Sequence, residues 1–243
     1  MKYGILGDIH ANLSALQAVL EQFDAWGVQR TISVGDVVGY GAAPEACIAL
    51  LRERETLVVK GNHDAAVVGE LDERYFNAFA RDAVCWTRNA IDEDCKRWLR
   101  NLPLVGRTEH LEVSHGCLAA PEEFNYVQMP RDAEPSLDVL ERRVGFVGHT
   151  HVPIALIQPN SPGPTGFSKD TVLEIGEFDR TLVNVGSVGQ PRDGDNRAAY
   201  ALYDSDTMTV EIRRVEYDRA LEADRIRTAG LPSMLADRLD LGV

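Results

Sequence analysis

The sequence predicts an α/β fold built on two packed β-sheets, and three observations carry that prediction. Short apolar runs alternate with amphipathic helical stretches near the start of the chain, the pattern of parallel strands joined by crossover helices. These runs end in Gly beside a side chain that can bind metal, at Gly7-Asp8, Gly35-Asp36 and Gly61-Asn62-His63-Asp64. After residue 152 the texture changes to shorter, alternating strands, which suggests a second, more antiparallel sheet.

Residues 2–7 read as the first strand. Residues 12–26 read as a helix, because Leu13, Leu16, Val19, Leu20 and Phe23 form one apolar stripe. Asn12 or Ser14 can cap it, and Gly27 closes it. A second strand is expected over 31–34, a helix opened by Pro44 over 44–54, and a third strand over 57–59. Residues 71–91 and 92–102 are helical in character, ended by Pro103. Their aromatics read either as the packing of a helical pair or as a border of a substrate site, with Tyr75 and Phe76 the first suspects.

Strands are then expected over 111–113 and 144–147, with a short helix near 136–142. They end in Ser114-His115-Gly116 and Gly148-His149-Thr150-His151. Further strands follow over 154–157, 172–175, 181–185, 199–203 and 209–215. Residues 158–170 read as a Pro/Gly/Ser-rich loop without evident chemistry. Residues 184–195 hold three glycines and could bring backbone close to a site; the tail from Asp218 is helical and charged. A single domain over 1–243, with 65–102 as a helical insertion, is the economical reading; a boundary within 152–172 is the weaker one.

The 25 basic and 38 acidic residues leave a formal charge of −13. Such a surface repels polyanions, so neither stable nucleic-acid binding nor a membrane partner is expected. No apolar leader precedes Asp8 and no stretch reaches spanning length. The four cysteines are scattered without a C-x-x-C pair and read as reduced thiols. A cytoplasmic location is expected. The oligomeric state is left open.

Asp8 and His10 stand two apart after a strand-like run, which in an extended chain puts both on one side. His10, His63, His115, His149 and His151 all fall at strand ends, and only His110 reads as an ordinary polar residue. Together with Asp8, Asp36 and Asn62 they make a crowd of imidazoles and carboxylates that is costly to desolvate without a partner. Nitrogen and oxygen donors without thiolate suit Mn, Fe, Zn, Ni or Co.

In their order, Asp8-x-His10, Gly35-Asp36, Gly61-Asn62-His63-Asp64, Ser114-His115-Gly116 and Gly148-His149-x-His151 resemble the blocks of the calcineurin-like metallophosphoesterases. The resemblance spans residues 7–151. It implies a four-layer αββα sandwich of two mixed β-sheets flanked by helices, holding two divalent or trivalent metal ions. Asp8, His10 and His151 would bind the first metal and Asn62, His115 and His149 the second, with Asp36 bridging. A hydroxide between two ions roughly 3.5–4 Å apart would attack phosphorus, and the ions would reverse the local potential of an acidic protein. His63 would be the leaving-group acid, with Asp64 either tuning it or holding its loop.

At the second block this chain reads Gly35-Asp36-Val37-Val38-Gly39-Tyr40-Gly41, without the Asp and Arg of the protein phosphatases of the superfamily. It is more similar to the compact bacterial phosphodiesterase branch at Asp8-Ile9-His10-Ala11-Asn12 and at Asn184-Val185-Gly186-Ser187-Val188-Gly189-Gln190-Pro191-Arg192. Asn12 and Arg192 are candidate substrate contacts; their plainer readings are a helix cap and a surface ion-pair residue. The expected activity is hydrolysis of phosphate esters, above all diesters, on a phosphorylated small molecule or nucleotide. The alternatives are a nucleotide or dinucleoside polyphosphate phosphohydrolase and, from another class, a non-catalytic protein-binding scaffold. All seven ligand positions and His63 being intact argues against the scaffold.

Overall fold

Strand β1 (Lys2–Leu6) places its side chains with period two. Tyr3 and Ile5 face a core shared by two sheets, while Leu6 faces the helix α1 (Leu13–Trp26). Gly4 lies under the ring of Phe23, where any Cβ would collide with it. A computed structural model describes residues 1–159, 163–175 and 178–243, with backbone alone at 178–179.

The first sheet runs β3 (Leu57–Val58), β2 (Arg30–Ser33), β1, β11 (Ala198–Asp204), β12 (Thr209–Val215), β9 (Val172–Glu174). The second runs β4 (Val105–Arg107), β5 (Leu111–Ser114), β6 (Val144–Val147), β10 (Phe178–Asn184), β7 (Ile154–Pro159), β8 (Gly166–Ser168). In each, three parallel strands are extended by antiparallel ones.

Between the sheets lie Ile32, Val113, Phe146, Val183 and Tyr203. On the outer face of the first sheet pack α1, α2 (Pro44–Glu53), α4 (Ala78–Ala90) and α5 (Glu93–Arg100), through Leu16, Phe23, Ile48, Val84 and Leu99. On the outer face of the second, α6 (Pro130–Val139) buries Ala133 and Leu137 against Leu156 and Leu182. The result is the expected αββα layering. Helices α7 (Arg219–Thr228) and α8 (Ser233–Leu241) form a further pair beside α4.

The structure differs from the sequence reading at several points. The strands after 152 do not form a sheet of their own; β7, β8 and β10 join one sheet and β9, β11 and β12 the other. The helix expected over 71–91 begins only at Ala78, because the Asn77 side chain caps it by accepting from the Ala80 amide at 3.0 Å. The helix expected near 136–142 lies earlier, started by Pro130 at its first turn. The short α3 (Asn62–Val67), β4 and β8 were not anticipated. β8 lies inside the stretch read as a loop, of which 160–162 fall outside the described residues. No helix among the described residues is long and apolar enough to cross a membrane.

Candidate metal centre

The site gathers where β1, β2, β3, β5 and β6 end, beyond their carboxyl termini. Asp8 and His10 do not share a side through extended geometry, because β1 stops at Leu6 and His10 takes φ 49°. Asp36 (φ 50°), His149 (φ 69°) and His151 (φ 62°) are left-handed as well. Each such residue costs on the order of 1–3 kcal/mol, so the surroundings must hold it. The His10 and Ala11 amides donate to the Asp36 and Val37 carbonyls at 2.9 and 2.8 Å, and the Gly148 amide donates to the His115 carbonyl at 2.9 Å.

The glycine-bent segment after β10 does approach the site, as scaffold. Asn184 Nδ2 donates to the Gly148 carbonyl at 2.5 Å, and Ser187 Oγ to the Asp8 carbonyl at 2.8 Å. The Val188 and Gly189 amides donate to Gly7 and Asp8, each at 3.0 Å. At Gly189 any Cβ would collide with the Ile9 carbonyl, so the close approach requires glycine.

All seven expected ligand residues converge. Asp8, His10 and His151 offer donor atoms within 4.8 Å of one another, as do Asp36, His115 and His149. Asn62 Oδ1 lies 2.9 Å from His115 Nε2. One oxygen of Asp36, Oδ2, faces both groups, 3.7 Å from His10 Nε2 and 3.4 Å from His115 Nε2. Its other oxygen accepts from the His63 amide at 2.9 Å.

The chemistry of this donor set fits metal ions. His10, His115 and His151 each direct Nδ1 to a carbonyl, of Val38 (3.1 Å), Val34 (2.9 Å) and Gln190 (2.5 Å). In the neutral ring that fixes the proton on Nδ1 and leaves a lone pair on Nε2. The lone pairs of His10 and His151 then face each other at 3.1 Å in a buried site. A cation between them turns that repulsion into attraction. Burial holds His10, His149 and His151 well below the usual imidazole range, so they are neutral and ready to ligate. His115 is the exception: burial lowers it, but Asp36 and Asp8 outweigh that and hold it near 9. Without an ion, the two carboxylates draw in a proton instead.

His63 is buried beside this group. Its ring lies 4.8 Å from His10, 4.5 Å from Tyr40 and 4.8 Å from Phe76, and its Nδ1 has no hydrogen-bond partner. Burial pushes the imidazole down to about 4 against the pull of Asp36. Asp64 does not bond to it. The carboxylate accepts from the Val38 amide at 3.2 Å and the Gly61 amide at 3.0 Å, which favours the loop-holding reading. Burial and the Asp36 charge raise Asp64 to about 7.

Of the two candidate substrate contacts, Asn12 is fully engaged in the scaffold. Its Oδ1 accepts from the Ala15 amide as the cap of α1 and its Nδ2 donates to the Gly189 carbonyl, both at 3.0 Å. Arg192 stands in the cavity wall, donating to Tyr40 Oη at 3.3 Å and Gln190 Oε1 at 2.9 Å, and no carboxylate pairs with it among the described residues. Tyr40, Phe124 and Tyr126 line the same cavity and are not among the residues expected from the sequence. Tyr40 follows the Gly35-Asp36 block and was legible there; no local pattern marks the other two.

These shifts predict how stability depends on pH once metal is stripped. Between about pH 4 and 6.5, His10, His63, His149 and His151 bind protons in the unfolded chain but resist them when folded. Asp8, which burial raises to about 7, and Asp64 act in the opposite sense. Four groups outweigh two, so stability falls as pH drops through that window. Above about pH 7, His115 loses the proton that its raised pKa had made stabilising, and stability falls again. The urea midpoint of chelator-treated protein is therefore highest near neutrality. A midpoint still rising at pH 9 would contradict this.

The model of the calcineurin-like phosphoesterase superfamily domain matches residues 1–208. An uncharacterized protein of Methanocaldococcus jannaschii is 36% identical over 242 residues, covering 98% of this chain and 97% of its own. The crystal structure of a metallophosphoesterase from Sphaerobacter thermophilus superposes with a TM-score of 0.87 at 38% identity, over 100% of this chain and 99% of that one. The Escherichia coli phosphodiesterase YfcE is 27% identical over 220 residues, 86% of this chain and 91% of its own. With its two mixed sheets and buried His/Asp groups able to hold metal, the chain belongs to the calcineurin-like phosphoesterase superfamily, as a phosphoester hydrolase.

Proposed function

We propose that the chain hydrolyses phosphodiesters at a dinuclear metal centre. Asp8, His10 and His151 would hold one ion and Asn62, His115 and His149 the other, with the Asp36 carboxylate available to both. The observation that carries this reading is the single Asp36 oxygen set 3.7 Å from His10 Nε2 and 3.4 Å from His115 Nε2. The name of the phosphodiesterase YfcE supports diesters over monoesters. Mn, Fe, Zn, Ni and Co all suit the donors.

When bound, such ions supply Lewis acidity to phosphoryl oxygens and make water a usable nucleophile near neutral pH. The chain supplies the rest. Arg192 binds a non-bridging phosphate oxygen from the cavity wall. Water oxygen bonds to phosphorus and gives up a proton to solvent, the opposite P–O ester bond breaks, and His63 gives its proton to the departing alkoxide; His63 then regains a proton from solvent, leaving an alcohol and a phosphomonoester. With its pKa near 4, the His63 ring is neutral in the metal-free protein; its acid role therefore needs the negative charge of the bound phosphate to favour its protonation. Asp64 and Asn12 position the loops that carry His63 and His10.

Exhaustive chelation is expected to abolish hydrolysis of bis-p-nitrophenyl phosphate, and added Mn to restore it, releasing p-nitrophenyl phosphate. Full activity after verified metal removal would overturn the proposal.

A further inference from the structure

The cavity beside the metal centre encloses about 520 Å³, and its outer wall is aromatic. Tyr126 stacks on His149 with ring centroids 3.9 Å apart and planes 16° from parallel, yet it remains 53% exposed. Tyr75 lines the same cavity at 83% exposure, with nothing apolar covering it. Its segment is held in place: Arg88 donates to the Ala66 and Val67 carbonyls at 2.8 and 3.2 Å and to Glu73 at 2.8 Å. Two exposed rings on the wall of a cavity, one fixed on a site imidazole and one on a pinned turn, are platforms on which a planar ligand can stack.

The charges of the wall limit what accompanies that planar group. Among the lining residues Arg192 is the one side chain with a fixed positive charge, and the carboxylates of Glu122 and Glu123 line the same cavity. Glu123 accepts from Asn125 Nδ2 at 2.6 Å, while Glu122 has no partner among the described residues. Beyond the proposed metal ions, Arg192 alone among the lining residues offers a fixed positive charge to a substrate. A polyphosphate chain would instead bring several further negative charges into a cavity whose lining already holds the two glutamates.

We propose that one ester substituent of the substrate is a nucleoside whose base stacks on Tyr126 and Tyr75, and that the substrate carries a single phosphate. This rests on the phosphodiesterase reading above. It makes Tyr75 and Tyr126 specificity-determining residues and sets dinucleoside polyphosphates aside.

The test compares two diesters that share a leaving group, guanosine 5′-(p-nitrophenyl phosphate) and methyl p-nitrophenyl phosphate, on the Mn-loaded protein. The guanosyl ester is expected to have a kcat/KM at least about 10-fold higher, mainly through KM. That ratio falls about fivefold or more in Tyr75→Ala and in Tyr126→Ala, and is kept in Tyr126→Phe, which retains the stacking face. Equal kcat/KM for the two esters, or a ratio untouched by both alanine variants, would overturn the inference while leaving the phosphodiesterase reading intact. A second readout needs no turnover: calorimetric titration of chelator-treated protein with guanosine 5′-monophosphate and with ribose 5-phosphate. The nucleotide is expected to bind about 10-fold more tightly, with the gap lost in the tyrosine variants and no gain from guanosine 5′-triphosphate. If neither ester is hydrolysed the phosphodiesterase reading fails, and the calorimetric gap then decides whether the aromatic subsite exists.

Discussion

Asp36→Asn is expected to lower kcat/KM for bis-p-nitrophenyl phosphate by about 1,000-fold or more, the scale reached when a single buried group that stabilises transition-state charge is removed. The carboxylate is buried, and the protonated His115 beside it works against the burial penalty, so that Asp36 is held ionised, well below the usual carboxylate range. Asparagine keeps the oxygen that accepts from the His63 amide, so the loop stays closed. What it loses is the negative charge at Oδ2, the atom that faces both His10 and His115. A second signature accompanies the rate: the variant should bind fewer ions and bind them more weakly. Wild-type turnover in Asp36→Asn would rule out the bridging role.

His63→Asn separates proton transfer from metal binding. On a diester with an alkyl leaving group, which departs poorly without a proton, kcat should fall by about 100- to 10,000-fold, the usual worth of a positioned acid. On bis-p-nitrophenyl phosphate the loss should be much smaller, because the nitrophenolate leaves as a stable anion. Metal content should be unchanged, since the three histidines and Asp36 that converge beside His63 keep their own carbonyl and amide partners. The unpartnered Nδ1 of His63 makes the substitution tolerable, as no hydrogen bond there is lost. Full activity on the alkyl diester would remove His63 from the acid role. Equal losses on both esters, with a drop in bound metal, would instead make it a ligand beside His10 and Asp36, with which its donor atoms also cluster.

Much of the fold is legible because local chemistry and packing agree. Helix α1 spans Leu13–Trp26 with Asn12 as its cap and Gly27 in the left-handed closing position, as the apolar stripe predicts. The five Gly-ended blocks are legible because tight turns and metal-ligating side chains alternate there in sequence. The sheet order is not. Strand β11 comes from near the end of the chain yet pairs with β1, with β12 beyond it, and no periodicity in residues 198–215 names a partner.

Asp8 and His10 come together as their spacing suggests, but not through extended geometry. They meet through left-handed turns held by backbone hydrogen bonds, and a single sequence carries little sign of such turns outside glycine. Asn12 illustrates the opposite limit. Its place in Asp-x-His-x-Asn suggests chemistry, whereas both of its amide atoms bind backbone. Tyr126 is not legible in the sequence, because its place on His149 is set by the irregular segment 120–129.

Hydrolysis by the proposed mechanism requires two ions held in one site. Metal content per chain, measured by mass spectrometry on protein dialysed against Mn and assayed in parallel, tests this directly. Two ions per wild-type chain, with hydrolysis of bis-p-nitrophenyl phosphate rising in step with occupancy of the second and that second ion lost in Asp36→Asn, is the predicted result. One ion or none in a protein with undiminished hydrolysis would contradict it.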